Sequence, residues 1–175
     1  MHDVTANALP RRSPRHRGFT LTEIVVVLAI IAILAVMAVP SMLDRIVRGQ
    51  VVEATKLADE VLKGRIAQFW KASGELPVDN AEADAPPPGK IVGNFVTSMT
   101  VEDGAIHIVF GNDANGTIKG KTLTLRPAVV EDTPMVPPAW VCAGGKVPPQ
   151  MTVKGRDRTD LENQYLPVNC RRLDG

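Results

Sequence analysis

The sequence predicts an α+β fold in which one long N-terminal helix packs on an antiparallel β-sheet meander, with a disulfide closing the C-terminal region. Three observations predict it. An unbroken apolar run at residues 24–39 continues into an amphipathic helical pattern that ends at residue 72. Three short strand-like runs separated by turn residues follow, and the last third of the chain holds the only two cysteines.

The whole-chain averages combine segments of different character. The chain has 175 residues, a formal charge of +1, 45% apolar residues and 4% aromatic residues. Residues 1–18 carry four Arg and one Asp, a local charge of +3, while the remaining chain carries −2. The sixteen consecutive apolar residues at 24–39 exclude a simple soluble protein, and because no second run of this length exists they also exclude a polytopic membrane protein.

The apolar run predicts a membrane-spanning helix. With residues 40–43 it gives twenty uncharged positions, about 30 Å of helix, and the basic stretch at 11–17 places the N-terminus in the cytoplasm. A cleaved secretory signal peptide, a plain signal anchor and a leader cut on the cytoplasmic side are all compatible with such a run. Only a poor signal-peptidase site lies near Ala35 and Ala38, and a carboxylate at the edge of the span, Glu23, indicates a functional site. These residues favour the third interpretation.

The residues around this carboxylate carry a specific resemblance. The stretch R-G-F-T-L-T-E-I at 17–24 resembles the cleavage and assembly motif of type IV pilins and related pseudopilins. The resemblance implies that prepilin peptidase, a membrane aspartic protease, cuts after Gly18 and that the new amine on Phe19 is N-methylated. It also implies that the Glu23 carboxylate of one subunit pairs with the amine of its neighbour and fixes axial register. The 18-residue leader is longer than the short basic leaders common among major pilins, which leaves open an incorrectly assigned start or a minor-pilin or pseudopilin class.

Four segments are expected along the chain: a cytoplasmic leader at 1–18, a transmembrane or filament-core half-helix at 19–43, an amphipathic half-helix at 44–74 and an outer β domain at 75–175. Pro40 resembles the helix kink of the family, and it could instead mark the exit from the bilayer. One apolar face is predicted for the amphipathic half, followed by a stop at Ser73-Gly74 and Pro77. The members of that face are Val47, Val51, Ala54, Ala58, Val61 or Leu62, Ile66 and Phe69.

The outer domain begins with an acidic, proline-rich stretch at 77–89 that predicts a surface loop. Strands are expected near 95–101, 105–110 and 117–125, joined by tight hairpins at Asp-Gly and Asn-Gly. Alternation of apolar and polar residues predicts a sheet with one buried face, covered by the amphipathic helix. His107 alternates with isoleucines and is expected to face solvent.

Export places the cysteines in an oxidising compartment, where Cys142 and Cys170 most simply form a structural disulfide. Closing this loop would stabilise the fold by about 3–4 kcal/mol. The W-x-C sequence at 140–142 and L-P-x-x-C at 166–170 are similar to the elements that bracket the D-region, here 142–170, of type IV major pilins. Pseudopilins of secretion systems commonly lack this bridge.

No nucleophile, phosphate loop, acid/base pair, metal cluster or cofactor motif is visible, so the sequence predicts a protein that is not an enzyme. Asn112, Asp113 and Asn115 lack the spacing of an EF-hand, and the sequon at Asn115 lies in a predicted turn. Two basic clusters could touch nucleic acid, but acidic residues are interleaved with them, which favours a solvated mixed-charge loop. The members of the clusters are Lys154, Arg156, Arg158, Arg171 and Arg172.

The sequence therefore predicts a subunit of a type IV pilus, major or minor, that forms a homo-polymer used for adhesion, twitching motility or DNA uptake. Its expected partners are prepilin peptidase and the pilus assembly machinery of the inner membrane, where the subunit resides before it joins an extracellular filament. A pseudopilin of a type II secretion system and a signal-anchored binding domain that does not polymerise are the alternatives. The W-x-C element and Cys170 argue against the pseudopilin.

Overall fold

The computed structural model describes residues 18–171, with the side chains of residues 37–41 excepted. Two compact units divide between Val39 and Pro40. Helix α1 spans Leu21–Ala58, a π-helical turn spans Asp59–Lys63 and helix α2 spans Gly64–Ser73. The strands that follow are β1 Val96–Glu102, β2 Ala105–Phe110, β3 Thr122–Val129, β4 Ala139–Cys142 and β5 Thr152–Val153.

The strands form the expected antiparallel meander in the order β1-β2-β3-β4, and the short β5 pairs with β3. The predicted Asp-Gly turn joins β1 to β2. Asp103 and Gly104 both have positive φ, 48° and 77°, between the paired residues Glu102 and Ala105. A two-residue turn of this kind matches the twist of the flanking strands, which is why Asp-Gly is strongly preferred there.

The helical segments of the second unit cover one face of this sheet. Their buried residues recur at four-residue steps after Ala58, and those from Val47 to Ile66 share one hydrophobic core with the sheet residues Ile106, Ile108 and Leu123. The buried helical residues are Val47, Val51, Ala54, Ala58, Leu62, Ile66 and Trp70. The predicted face is confirmed as far as Ile66, but its last member is Trp70, which is 6% exposed, and not Phe69.

The π-helical turn explains this change. Each α-helical residue advances about 100°, so in a regular α-helix Leu62, Ile66 and Trp70 would lie about 60°, 100° and 140° from Val47. A π turn holds about one more residue than an α turn, which brings all three back to within about 40° of Val47. A single α-helical period along the whole segment predicts Phe69 on the buried face. The additional residue in the π turn rotates the following helix by about 100°, so Trp70 takes that position instead.

Helix α2 ends where the sequence predicts. Gly74 has a left-handed backbone, with φ 76°, and its N–H donates to the carbonyl of Trp70 at 2.9 Å. Glycine adopts this conformation without the steric cost that a Cβ imposes. The chain then turns into the loop at 77–89.

The third strand begins later than predicted. Residues 116–120 form a turn, and β3 starts at Thr122. The Asn115 side chain accepts a hydrogen bond from the Thr117 N–H at 3.0 Å, and Gly120 has φ 78°. This local hydrogen bonding competes with strand pairing, so the apolar Ile118 is fully buried from a turn and not from a strand.

The prediction that the sheet has one buried face, with His107 facing solvent, is wrong. His107 is 4% exposed, because residues 154–160, here called the C-terminal segment, lie over the second face of the sheet. Gly155, with φ 78°, makes this close approach possible, since a Cβ there would lie 2.7 Å from the Cβ of Ala105. A loop rich in charge gave no apolar periodicity from which this cover could be predicted.

Candidate processing and assembly site

The bond between Gly18 and Phe19 lies in exposed, non-helical backbone. Helix α1 begins at Leu21, and among the described residues no atom beyond the immediate chain neighbours lies within 4 Å of the position that a Cβ on Gly18 would take. The Phe19 side chain is 83% exposed. A protease needs a sterically open segment, and this backbone is exposed and lies outside the helix. The basic residues of the leader at 1–17 lie outside the described residues.

Glu23 and Thr20 form a capping box at the start of α1. The Thr20 hydroxyl accepts from the Glu23 N–H at 3.2 Å, while the Glu23 carboxylate accepts from the Thr20 N–H and hydroxyl, both at 2.8 Å. Two of the unpaired donors at the helix start are satisfied in this way. The sequence analysis missed Thr20, although the spacing T-x-x-E before an apolar run is a known signature of this arrangement. The carboxylate that the resemblance assigns to assembly is therefore held at the helix N-terminus.

The first unit presents apolar surface on every side of the helix. Each large apolar side chain between Ile24 and Val36 is 47–75% exposed. A helix that is apolar all round requires lipid or other helices around it. In the part of the chain that the structure describes, no helix meets the length and hydropathy of a membrane span. The helix assignment continues through Pro40, whose side chain lies outside the described residues, so the kink predicted there stays a prediction.

The predicted disulfide is present. Cys142 at the end of β4 bonds to Cys170 across 28 residues of sequence, and their Cα atoms are 4.7 Å apart. Both cysteines are buried, 7% and 2% exposed. Gly145 lies next to the backbone on both sides of the disulfide. A Cβ at this position would collide with the Asn169 carbonyl oxygen and lie 3.0 Å from the Cys142 carbonyl oxygen.

Trp140 of the W-x-C element lies two residues before the disulfide-bonded Cys142 and contacts the helical segment. The ammonium of Lys63, in the π-helical turn, lies 5.3 Å from the centre of the Trp140 ring and also pairs with Asp59. A cation over an aromatic ring is attracted by its π electrons, by about 0.5–1 kcal/mol at a partly exposed site. The π-helical turn thus also contacts the region that the disulfide closes.

The basic residues of the C-terminal segment are partly neutralised. Lys154 pairs with Glu131 at 2.7 Å, and Arg158 pairs with Glu102 at 2.5 Å. The acidic partners come from the end of β1 and the loop after β3, not from within the segment as the sequence suggested. Arg156 is exposed, Arg171 donates to the Leu166 carbonyl, and Arg172 lies outside the described residues.

Within residues 18–171, no group of three or more His, Cys, Asp or Glu could hold a metal ion. Asn112 and Asn115 use their side chains in local structure. The Asn112 amide donates to the carbonyls of Gly93 and Val96, while Asn115 caps its own turn. These contacts give the Asn112 and Asn115 side chains a structural role in their turns.

The fold and the N-terminal helix define a class of protein in which an exposed apolar helix continues into a helix-on-sheet outer domain. The family model for the pilin of bacterial filaments matches residues 47–171, and that for the prokaryotic N-terminal methylation motif matches residues 13–39. The chain belongs to the pilin family.

Curated relatives agree with this assignment. A type IV major pilin protein PilE1 of Neisseria gonorrhoeae is 32% identical, over 89% of this chain and 87% of its own length. A fimbrial protein of Neisseria meningitidis serogroup A is 37% identical, over 89% and 94%. The fimbrial protein EcpC of Eikenella corrodens is 32% identical, over 89% and 90%.

Proposed function

We propose that this chain is a structural, non-enzymatic subunit of a type IV pilus. It is inserted in the inner membrane, cleaved after Gly18 by prepilin peptidase, N-methylated on Phe19 and polymerised into an extracellular filament. The observation that carries the proposal is the order of features at the N-terminus. Gly18 and Phe19 lie in exposed backbone just before α1. Glu23 forms the capping box in the first turn of this helix, and the apolar side chains that follow are exposed.

Cleavage would leave a positive amine on Phe19, four residues from Glu23. In a bundle of apolar helices, each of these charges alone is costly, and pairing between neighbouring subunits offsets the cost while fixing their axial offset. Burying one large apolar side chain contributes roughly 1.5–3 kcal/mol. The exposed apolar side chains of α1 supply the driving force for assembly, and the ion pair supplies register.

Before assembly, the same apolar surface would be covered by lipid. The basic leader keeps the N-terminus in the cytoplasm, so the outer domain folds outside, where the disulfide between Cys142 and Cys170 can form. The assembly machinery of the inner membrane then transfers the helix from lipid to filament. The disulfide and Trp140 favour a pilus pilin over a secretion pseudopilin.

Adhesion, twitching motility and DNA uptake are the roles proposed for the filament. DNA uptake has the least support from the outer domain, because Lys154 and Arg158 are already paired with carboxylates. Adhesion and motility require only an exposed, stable filament surface.

Mass spectrometry of the mature protein tests the proposal. The expected mass lacks residues 1–18, carries one methyl group on Phe19 and is two hydrogens below that of the reduced chain. An intact Met1 or a cut near Ala38 would contradict it.

A glycine pair supplies the matched control. Gly18→Val should accumulate uncleaved protein, because two branches on the Cβ crowd the bond that the protease has to reach. Gly116→Val adds the same side chain where a Cβ meets nothing within 4 Å, and it should be processed normally. Normal processing of Gly18→Val would count against cleavage at this bond.

A further inference from the structure

A buried histidine lies where the sheet meets the C-terminal segment. His107 of β2 is opposite Thr124 of β3, and its Nδ1 lies 3.0 Å from the Thr124 hydroxyl. Its Nε2 is buried without a hydrogen-bond partner and lies 3.5 Å from the Glu102 carboxylate. The proposed function assigns no role to this ring.

The groups that face His107 also hold the C-terminal segment. The Thr124 hydroxyl accepts from the Arg158 N–H at 3.0 Å, and the Thr124 N–H donates to the Thr159 hydroxyl at 3.0 Å. The Glu102 carboxylate accepts from the Arg158 guanidinium at 2.5 Å. These four residues, His107, Thr124, Glu102 and Arg158, are called the clasp.

The hydrogen bonds of the clasp fit a neutral ring that carries its proton on Nε2. Since the Thr124 oxygen already accepts from the Arg158 N–H, its own proton is free to donate to Nδ1 of His107. Nδ1 is then an acceptor, and the ring proton lies on Nε2, towards Glu102. In this tautomer the acceptor Nδ1 faces the Thr124 hydroxyl, and the Nε2–H faces the Glu102 carboxylate.

A second proton on the ring disturbs both attachments of the segment. Nδ1 becomes a donor, so the Thr124 hydroxyl has to turn its own proton away and accept from two donors at once. The positive charge on the ring also repels the guanidinium of Arg158, which binds the other oxygen of the Glu102 carboxylate that Nε2 faces. We propose that protonation of His107 opens the clasp and releases residues 154–160 from the sheet.

The surrounding charges set the direction of this switch. Burial lowers the pKa of His107 below its usual range, and the positive charge of Arg158 lowers it further, while Glu102 and Asp157 act in the opposite direction. A ring released to solvent would titrate near its usual value of about 6.5. The released state therefore binds more protons as the pH falls through this range. The closed clasp is favoured above about pH 6.5 and is progressively lost as the pH falls from there towards the lowered pKa.

Hydrogen exchange in the full chain, held in detergent micelles, tests the proposal. Protection of residues 154–160, corrected for intrinsic exchange rates, is measured at about pH 7.5 and about pH 5, a window above the ordinary pKa of exposed carboxylates. The wild-type protection should fall severalfold at the lower pH, because the released ring binds a proton more readily than the buried ring. His107→Asn retains an acceptor for the Thr124 hydroxyl but does not titrate, so its protection should be the same at both values.

Two further measurements keep the test decisive. Thr124→Ser keeps the hydroxyl and should retain the pH dependence of the wild type. His107 is the only histidine after Gly18, so its ring can be titrated by NMR in the cleaved chain without ambiguity. The midpoint of this titration should coincide with the midpoint of the protection loss. Separate midpoints, an unchanged wild type or an equal loss in His107→Asn would overturn the proposal, and none of these results depends on whether the chain forms filaments.

Discussion

Asn80 is a buried polar residue in a loop that the sequence presents as solvent-exposed. It is 4% exposed, and its amide donates to the carbonyls of Pro86 and Met99 at 3.0 and 3.1 Å. Its carbonyl oxygen accepts from the Val101 N–H at 2.7 Å. Asn80 therefore fastens the proline-rich loop at 77–89 to β1 by satisfying backbone groups of both.

Replacing Asn80 with Asp tests this role. An aspartate has nearly the same shape but loses both donors and buries a charge, so Asn80→Asp should lower the free energy of unfolding by about 2–3 kcal/mol at neutral pH. Denaturant unfolding of the full chain in detergent measures the change. Gln68→Glu makes the same chemical change on the exposed face of α2 and should stay within about 0.5 kcal/mol of the wild type. Equal effects from both variants would refute the anchoring role.

Single residues were the least predictable part of the sequence. Asn80 lies among Pro, Ala and acidic residues, and nothing in its neighbours indicates three buried hydrogen bonds. His107 was misplaced because its burial depends on a segment about fifty residues further along the chain. The Gly74 helix stop and the Asp103-Gly104 turn were predictable, because their conformations depend on local backbone sterics.

At the scale of elements, the π-helical turn at Asp59–Lys63 has the largest effect on the helix. It corrects an offset of about 100° between the apolar stripe before it and the stripe after it. A π turn has poorer geometry than an α turn and forms rarely. It persists here because Leu62, Ile66 and Trp70 would otherwise turn away from the buried side of the helix.

Deletion of one residue from this turn should be tolerated. Without Glu60, which is exposed, a regular α-helix places all of the apolar residues on one face, so the free energy of unfolding should change by less than about 1 kcal/mol. Insertion of one Ala after Glu60 should cost more than about 3 kcal/mol, because three apolar side chains are displaced from the core. Thermal unfolding followed by circular dichroism compares the two. A deletion as damaging as the insertion would show that the turn does not serve to correct the period.

The order of the helices and strands was predictable from the sequence, but the residues at which they begin and end were predictable only in part. Turn residues and alternation identified β1 and β2, which are paired by a tight local hairpin. β3 was placed about five residues too early, because Asn115 forms a local turn where the Asn-Gly sequence suggested a hairpin. The two-residue β5 is stabilised only by its pairing with β3, and such contacts leave no pattern in the sequence.

For the whole molecule, the disulfide secures a region with little core of its own. Replacing both cysteines, in Cys142→Ser with Cys170→Ser, should lower the free energy of unfolding by about 3–4 kcal/mol, because the unfolded chain regains the freedom of a loop of this length. Urea unfolding of the full chain in detergent measures the loss. Reduction of the wild type should give the same stability as the double variant, and a stable double variant would contradict this role.

Filament formation is also a property of the whole molecule, and the prediction for Glu23 belongs at this scale. Glu23→Ala should leave the chain in the membrane but reduce the yield of filaments, because the amine of Phe19 is then buried in the filament without a partner. Sedimented filaments are quantified against membrane-bound subunit. Glu60→Ala removes an exposed carboxylate from the same helical run and should assemble normally. Normal assembly of Glu23→Ala would contradict the proposal that Glu23 sets the axial register between subunits.

Three of the bonds that attach the C-terminal segment to β3 come from its main-chain N–H groups. The N–H groups of Lys154 and Asp160 donate to the carbonyls of Pro127 and Thr122, and that of Arg158 donates to a hydroxyl. Any residue other than proline supplies such a donor. The outward side chains can therefore be exchanged at little cost, and Arg156 is the natural position for a short peptide tag or a fluorophore that reports on the assembled surface.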